Sequence, residues 1–555
     1  KATETIPVWG TRRIFTYESA AGTTFPTAIQ EASLTTPIAN FIKGDRSNEI
    51  SQSMTGTLRD RVNVLGDIVN SSPAYSSESN TVFIGANDGM MHAFNAATGA
   101  ELFAYIPGIV NLTNLKTLAD KAYDHRYFVD GPLAVSAKKL TPNKNILVGS
   151  LGRGGKGLYA LDVTTPATFD GSKALWEVSG SDDDMGFITS RPIITKANNG
   201  STVVIVSNGL NSTNDDPALF IYDLFTGTRL AKLLPIEKGG NDVFDNNGLS
   251  AATGVDQDVD GDVDYMYAGD MKGNVWKFDL SDNNPNNWEV ANNDYPLYSA
   301  KDSTGTITQS ISGGIAIGFD AEFNPWLYFG TGRYLTAGDP STTSVQTWYG
   351  IVDESTNTTI AGRGALKARK IVAAGELDNG SGTGVKVRAF EPQEFPSGVS
   401  DMYGKKGWYI DLVNPPFTAA QKVGERIVGT PVVRGTTVLV SSIIPSEDPC
   451  TVEGSGYVNA VDALTGSSGV YGSESYFDVN GGGFDNDKLV STIDGREISI
   501  GSIDLGIKMP TDALVLAGDT NELVVVGGSI GGTGSAPFRG TRAVGRISWH
   551  EMINN

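Results

Sequence analysis

A strand–turn–strand pattern that returns seven times, strands apolar along their whole length and an abundance of turn residues predict an all-β fold, a modified seven-bladed β-propeller with long inter-strand insertions. Each copy reads as a β-branched apolar strand, a glycine-containing turn, a second strand, and an Asp or Asn leading into a Thr-Gly-type turn. Copies run over Thr81–Gly99, Ile146–Asp162, Val203–Gly227, Tyr265–Leu280, Trp326–Asp353 and Val438–Gly466, and a partial copy starts at Leu523 and ends near Trp549. A hairpin-based blade cannot bury both faces alone, so the copies are expected to pack on one another and close a ring. The runs Val203-Val-Ile-Val, Val438-Leu-Val-Ser-Ser and Leu523-Val-Val-Val-Gly-Gly suit strands covered on both faces. A β-sandwich or two smaller barrels compete with this reading. The recurring Asp/Asn-x-x-Thr-Gly turn favours the propeller.

Residues 1–61 read differently, with mixed helical and loop signals over Thr27–Ile38 and Ile42–Arg61 and punctuation at Pro26 and Pro37. They are expected to form a lead-in or linker, and 62–555 the propeller. Asp378–Gly407 is Gly/Ser-rich and reads as a long insertion before the strand Trp408-Tyr-Ile-Asp-Leu. The chain opens on Lys1 with neither an initiator Met nor a signal peptide, as expected of a fragment or processed product.

Composition narrows the partners. The 555 residues suffice for several cores or one large repeat architecture, and 67 glycines supply turns. A net charge of −21 would repel phosphate backbones and anionic lipid, which argues against nucleic acid and membrane surfaces as general partners. No apolar run is suited to spanning a bilayer, so direct membrane insertion is not expected. Cys450 is the one cysteine, in the polar stretch Ser446-Glu-Asp-Pro-Cys-Thr. It is either a plain loop residue or the partner of a cysteine outside this sequence.

The most specific chemistry lies at residues 256–264, Asp-Gln-Asp-Val-Asp-Gly-Asp-Val-Asp. Carboxylates at the first, third and fifth positions can curl around one hard cation, and Gly261 permits the sharp turn. Asp256, Asp258 and Asp260 would supply side chains, Asp262 its backbone carbonyl, and Asp264 would close the shell. Oxygen ligands without nearby His or Cys favour Ca2+ over zinc or copper. The twelfth position is Tyr267, and Asp264-Tyr-Met-Tyr-Ala-Gly reads as a strand, so the loop is a shortened version set between strands rather than an EF-hand. A solvated acidic turn is the competing reading, but five anionic side chains in nine residues would repel one another without an ion.

Catalytic constellations are hard to assemble. His92 sits inside a predicted strand, where a satisfied or half-exposed histidine is common, and His125 and His550 accompany no nucleophile elbow. Gly152-Arg-Gly-Gly-Lys-Gly157 lacks the spacing and following helix of a phosphate loop, and reads as a connection between strands.

Several strings taken in order carry a family resemblance. They are Leu65-Gly-Asp-Ile-Val-Asn-Ser-Ser-Pro73, Gly85-Ala-Asn-Asp-Gly-Met-Met-His-Ala-Phe94 and Met185-Gly-Phe-Ile-Thr-Ser-Arg-Pro192. Asn247-Gly-Leu-Ser250, Ala268-Gly-Asp-Met-Lys-Gly-Asn-Val-Trp-Lys-Phe-Asp279 and Tyr328-Phe-Gly-Thr-Gly-Arg-Tyr-Leu335 complete the set. Over roughly residues 62–550 the chain resembles the C-terminal domain of the PilC/PilY family, tip-associated biogenesis factors and adhesins of type IV pili. The resemblance implies a calcium site at Asp256, Asp258, Asp260, Asp262 and Asp264. It also implies secretion through the periplasm to the cell surface or outer membrane and the pilus tip. Expected partners are pilins, minor pilins, other pilus machinery and host-cell surface receptors. The implied role is control of pilus extension against retraction, and hence of twitching motility, by calcium occupancy, together with surface attachment. Some members carry an Arg-Gly-Asp motif. Here the nearest strings, Lys43-Gly-Asp-Arg46 and Leu58-Arg-Asp-Arg61, lack that order, so integrin binding by that route has no support.

A quinoprotein (PQQ) propeller dehydrogenase is the alternative, because Ala160-Leu-Asp-Val leading to Ala174-Leu-Trp176 resembles the blade-docking motif of those enzymes. The motif also has a packing reading, in which the Trp stacks on the neighbouring blade's backbone. The chain lacks the adjacent cysteine pair seen in many such enzymes, and a self-contained loop leaves no evident open position for a substrate. The sequence is therefore read as non-enzymatic.

Overall fold

The computed structural model describes residues 6–235, 247–355, 357–446, 454–517 and 522–540. Cys450 and His550 lie outside them. The described chain is mostly β-structure, arranged as seven sheets that follow one another along the sequence. The seven pattern copies fall one to a sheet. Their paired strands are Thr81–Gly85 with Met91–Asn95, Ile146–Ser150 with Gly157–Asp162, and Thr202–Ser207 with Leu219–Asp223. Next come Tyr265–Gly269 with Asn274–Asp279 and Pro325–Gly330 with Thr347–Val352. The sixth and seventh pairs are Thr437–Pro445 with Gly454–Asp462 and Glu522–Gly527 with Thr533–Phe538.

Apolar clusters sit between successive sheets. One joins Val148 and Ala160 of the second sheet to Val204 and Phe220 of the third; another joins Val203 and Ile205 of the third to Met266 and Trp276 of the fourth. Strand Thr202–Ser207 thus sends alternate residues into two different cores, which is why its sequence is apolar on both faces. The strand holding the last of the three apolar runs departs from the expectation of two covered faces. In Glu522–Gly527, Val524 and Val526 are buried while Leu523 is exposed, because among the described residues only one face of the seventh sheet is packed.

Two tryptophans act as docking pins. Trp176 in the second sheet donates its Nε1–H to the Leu224 carbonyl of the third at 2.8 Å. Trp408 in the fifth donates to the Ala463 carbonyl of the sixth at 2.7 Å. Each indole lies against the glycine of an Asp-x-x-Thr-Gly turn. A Cβ on Gly227 would stand 2.7 Å from the Trp176 ring, and one on Gly466 would stand 2.4 Å from the Trp408 ring. The recurring turn is glycine-terminated here because a neighbouring aromatic occupies the space a side chain would need.

Residues 1–61 contribute more than loops. Thr27 caps the helix Ala28–Leu34 through a capping box with Gln30, and Thr36–Lys43 follows as a second helix. Upstream, Ile14–Glu18 adds to the first sheet parallel to Glu101–Ile106, with Ala21–Thr24 as the edge. The stretch expected as a long insertion at 378–407 is also partly ordered as sheet. Ile371–Asp378 and Gly384–Phe390 form a hairpin in the sixth sheet, fixed by burial of Val387, Ala389 and Phe390, before the chain returns to the fifth at Gly407–Asp411. Among the described residues no helix is long and apolar enough to cross a membrane.

Candidate cation loop

The acidic run connects Thr253–Val255 to Tyr265–Gly269 in the fourth sheet, as a nine-residue loop between strands. Gly261 adopts φ +102°, the left-handed turn the spacing called for. Asp256, Asp258 and Asp260 come together at the surface, with one carboxylate oxygen from each lying within 4.8 Å of the others. The Asp256 carboxylate also organises the turn, accepting the backbone N–H of Val259 at 2.7 Å and of Gly261 at 2.9 Å. Asp260 Oδ1 accepts the Asp262 N–H at 2.8 Å.

The remaining two carboxylates stand apart from this trio. Asp262 is half-buried, and burial and the neighbouring Asp260 push its carboxyl above the usual range. Asp264 is 5% exposed. It accepts the Gln257 N–H at 2.7 Å and the Asn198 side-chain amide at 3.1 Å, yet burial still pushes its carboxyl up. Sequence reasoning missed Asn198. Its Nδ2 also reaches the carbonyls of Val263 at 3.0 Å and Leu280 at 3.1 Å, so a turn of the third sheet clasps the end of the loop and the strand leaving the fourth. Within Lys196-Ala-Asn-Asn-Gly200, nothing distinguishes this residue from an ordinary turn asparagine.

The donor set is oxygen throughout, three carboxylates converge with no ion-paired Lys or Arg among the described residues, and the turn residue is glycine. These features fit a hard divalent ion of the size of Ca2+.

The strings around the loop mostly build structure. Asp270 is buried and accepts Trp276 Nε1–H and Asn274 N–H, both at 2.8 Å, and the Asn247 amide at 3.2 Å. His92 is wholly buried, hydrogen-bonded to Glu101 at 2.8 Å and to Asp88 at 3.1 Å. Arg12 grips the same Glu101 with two bonds of 2.7 and 2.8 Å. Of the two ordinary states expected for a strand histidine, satisfied or half-exposed, the structure shows the satisfied one. His125 is exposed beside Asp67 at 2.8 Å. Gly152–Gly157 connects two strands of the second sheet, as expected.

The family described as the PilY1 beta-propeller domain matches residues 52–379. A type IV pilus biogenesis factor PilY1 homolog of Xylella fastidiosa is 34% identical over 93% of this chain and 41% of its own length. PilY1 of Pseudomonas aeruginosa strain PAK is 32% identical over 77% of this chain and 40% of its own. The chain therefore spans about two-fifths of the curated relatives it matches. The crystal structure of the Pseudomonas aeruginosa PilY1 C-terminal domain superposes with a TM-score of 0.64 at 27% identity, covering 83% of this chain and 92% of that one. With a family match across more than half its residues and a shared fold, the chain belongs to the PilY1 β-propeller domain family.

Proposed function

We propose that the chain is a non-enzymatic, calcium-binding β-propeller that works in type IV pilus biogenesis and surface attachment. The observation that carries this is the convergence of Asp256, Asp258 and Asp260 in an inter-strand loop of a chain whose relatives are named type IV pilus biogenesis factors. In this reading the seven sheets are the blades of a closed ring formed by 62–555, with 1–61 as a lead-in whose strands extend the first blade.

Asp256, Asp258, Asp260, Asp264 and the Asp262 carbonyl would hold the ion. Bound there, calcium would supply positive charge that removes the repulsion among these groups. The protein's part is to hold the loop to its sheet. Asp256 ties the turn through backbone N–H groups, and Asn198 ties its end to the adjacent sheet. Loop order would thereby pass to the surface beside it and bias contact with pilins, minor pilins or other pilus machinery, favouring extension over retraction. Partner and ion would then strengthen each other's binding by the same factor. The site of action would be the pilus tip at the cell surface, with host-cell receptors as further partners. Family membership and the packing role of Trp176 favour this reading over a quinoprotein dehydrogenase.

Calorimetric titration of chelator-stripped protein tests the site. One saturable calcium site, indifferent to magnesium and lost in Asp258→Ala, is expected; no binding would leave a solvated acidic turn. In a strain carrying Asp258→Ala in the full-length protein, pilus number and twitching should change. Wild-type values alongside lost calcium binding would reduce the ion to a local staple.

A further inference from the structure

The Gly152–Gly157 connection has a role that strand pairing does not exhaust. It borders an open cavity of about 530 Å³, walled also by Arg126, Tyr127 and Phe187. Gly154 lies so close to the preceding segment that a Cβ there would sit 1.9 Å from the Phe128 carbonyl oxygen. The loop is thus laid flat on residues 128–131, with Arg153 and Lys156 on the cavity wall.

Three cations, Arg126, Arg153 and Lys156, share this wall, and among the described residues no carboxylate lines it. None of the three makes an ion pair among the described residues. Other arginines do find carboxylates, as Arg12 finds Glu101 and Arg369 finds Asp401. Like charges gathered without a counter-charge repel one another, and a bound anion would relieve that.

The aromatic groups narrow the anion. The Arg153 guanidinium lies 5.6 Å from the Tyr127 ring, and Lys156 Nζ lies 5.9 Å from the Phe187 ring. Each ring therefore has a cation over one of its two faces. Acidic sugars present that combination, with an apolar C–H face flanked by a carboxylate or sulfate and by hydroxyls. The guanidinium fork can donate two parallel N–H groups to a carboxylate or to two oxygens of a tetrahedral oxyanion, and Asn114, also on the wall, carries an amide suited to hydroxyls. The volume falls in the range of small-ligand sites.

We propose that this cavity binds an acidic carbohydrate, with Arg126, Arg153 and Lys156 holding its carboxylate or sulfate groups and Tyr127 and Phe187 packing on its rings. The site gives the attachment part of the proposed function a ligand class and deepens that reading. Binding is measured on purified protein, so failure here and failure of pilus display are separate results.

The probes are a heparin hexasaccharide (sulfated), tetragalacturonate (carboxylate only), neutral maltohexaose and an acidic oligo-glutamate peptide. Each is titrated in chelator, so that calcium cannot bridge anion and protein. Saturable binding of at least one of the two acidic glycans, with none for maltohexaose, is expected. The two glycans separate sulfate from carboxylate as the group recognised. Arg153→Ala and Lys156→Ala should each weaken binding about tenfold, the scale of one lost charge-assisted contact. Tyr127→Leu should weaken it without removing a charge, and unchanged melting temperatures would show the variants folded. Absence of acidic-glycan binding, affinity unmoved by the Arg153 and Lys156 variants, or equal affinity for the peptide would each overturn the proposal.

Discussion

Asp258→Ala and Asp264→Ala remove members of the same acidic run, yet the structure predicts different consequences for the ion-free protein. Asp258 is exposed, and its carboxylate accepts one long bond, from Asp260 N–H at 3.3 Å. Its loss should change local stability by no more than about 0.5 kcal/mol. Asp264 is buried and receives Gln257 N–H at 2.7 Å and the Asn198 amide at 3.1 Å. Truncation leaves the Gln257 N–H and the Asn198 amide without this acceptor, at roughly 1–3 kcal/mol each, and removal of a carboxylate whose burial is unfavourable offsets part of that. A net loss of about 2 kcal/mol follows, which speeds amide exchange about thirtyfold where exchange reports local opening. Hydrogen exchange of peptides covering 253–280, in chelator, reads the difference directly. With calcium at a hundredfold excess over its Kd, the wild type should gain about 2.7 kcal/mol, and neither variant should gain any. Calcium-dependent protection in Asp258→Ala, or wild-type exchange in ion-free Asp264→Ala, would refute the reasoning.

Two further perturbations probe the scaffold. Burial alone would push the His92 imidazole down, but Asp88 and Glu101 outweigh it and hold it up to about 9. Burial would raise Glu101, yet His92 and Arg12 bring it down to about 2. The His92 contribution is therefore complete below its ordinary 6.5 and lost as pH rises through about 9. That of Glu101 is complete above its ordinary 4.5 and lost as pH falls toward about 2. His92→Gln should cost about 3 kcal/mol near neutrality and flatten the alkaline limb, read from urea midpoints across pH. Trp176→Phe and Trp408→Phe each leave a carbonyl unpaired and a gap beside a glycine, at about 2 kcal/mol apiece. Their docks lie between different pairs of sheets, so the double variant should be additive within about 0.5 kcal/mol by urea unfolding.

What could be read from the sequence was whatever is written locally. The nine-residue loop, its glycine turn and the strand after Asp264 follow from spacing over a dozen positions. The seven strand pairs follow from a pattern contained within each copy. Even the pin at Trp176 was visible, because the Trp and the turn receiving it each have a local signature. Asn198 was not, since its partners Asp264 and Leu280 are 66 and 82 residues downstream. The hairpin at 371–390 was hidden for a related reason. Its tip is Gly/Ser-rich, and its strand assignment comes from burial against Ile500 and Ile503, over a hundred residues away. The parallel addition of Ile14–Glu18 likewise depends on a partner that its own five residues do not specify.

The hairpin at 371–390 also constrains the order in which the molecule can assemble. The chain lays down two strands of the sixth sheet, returns to finish the fifth at Gly407–Asp411, and only then supplies the rest of the sixth. The first four sheets can each be completed by chain already made, whereas these two are braided together. A chain delivered in N-to-C order must hold Ile371–Phe390 unpartnered on one edge until residues 497–503 arrive to pair with it. Non-local pairing of this kind slows folding and exposes an apolar edge meanwhile. The fifth and sixth sheets thus form a single late-folding unit, and a cut between residues 390 and 407 would not divide the protein into halves able to fold alone.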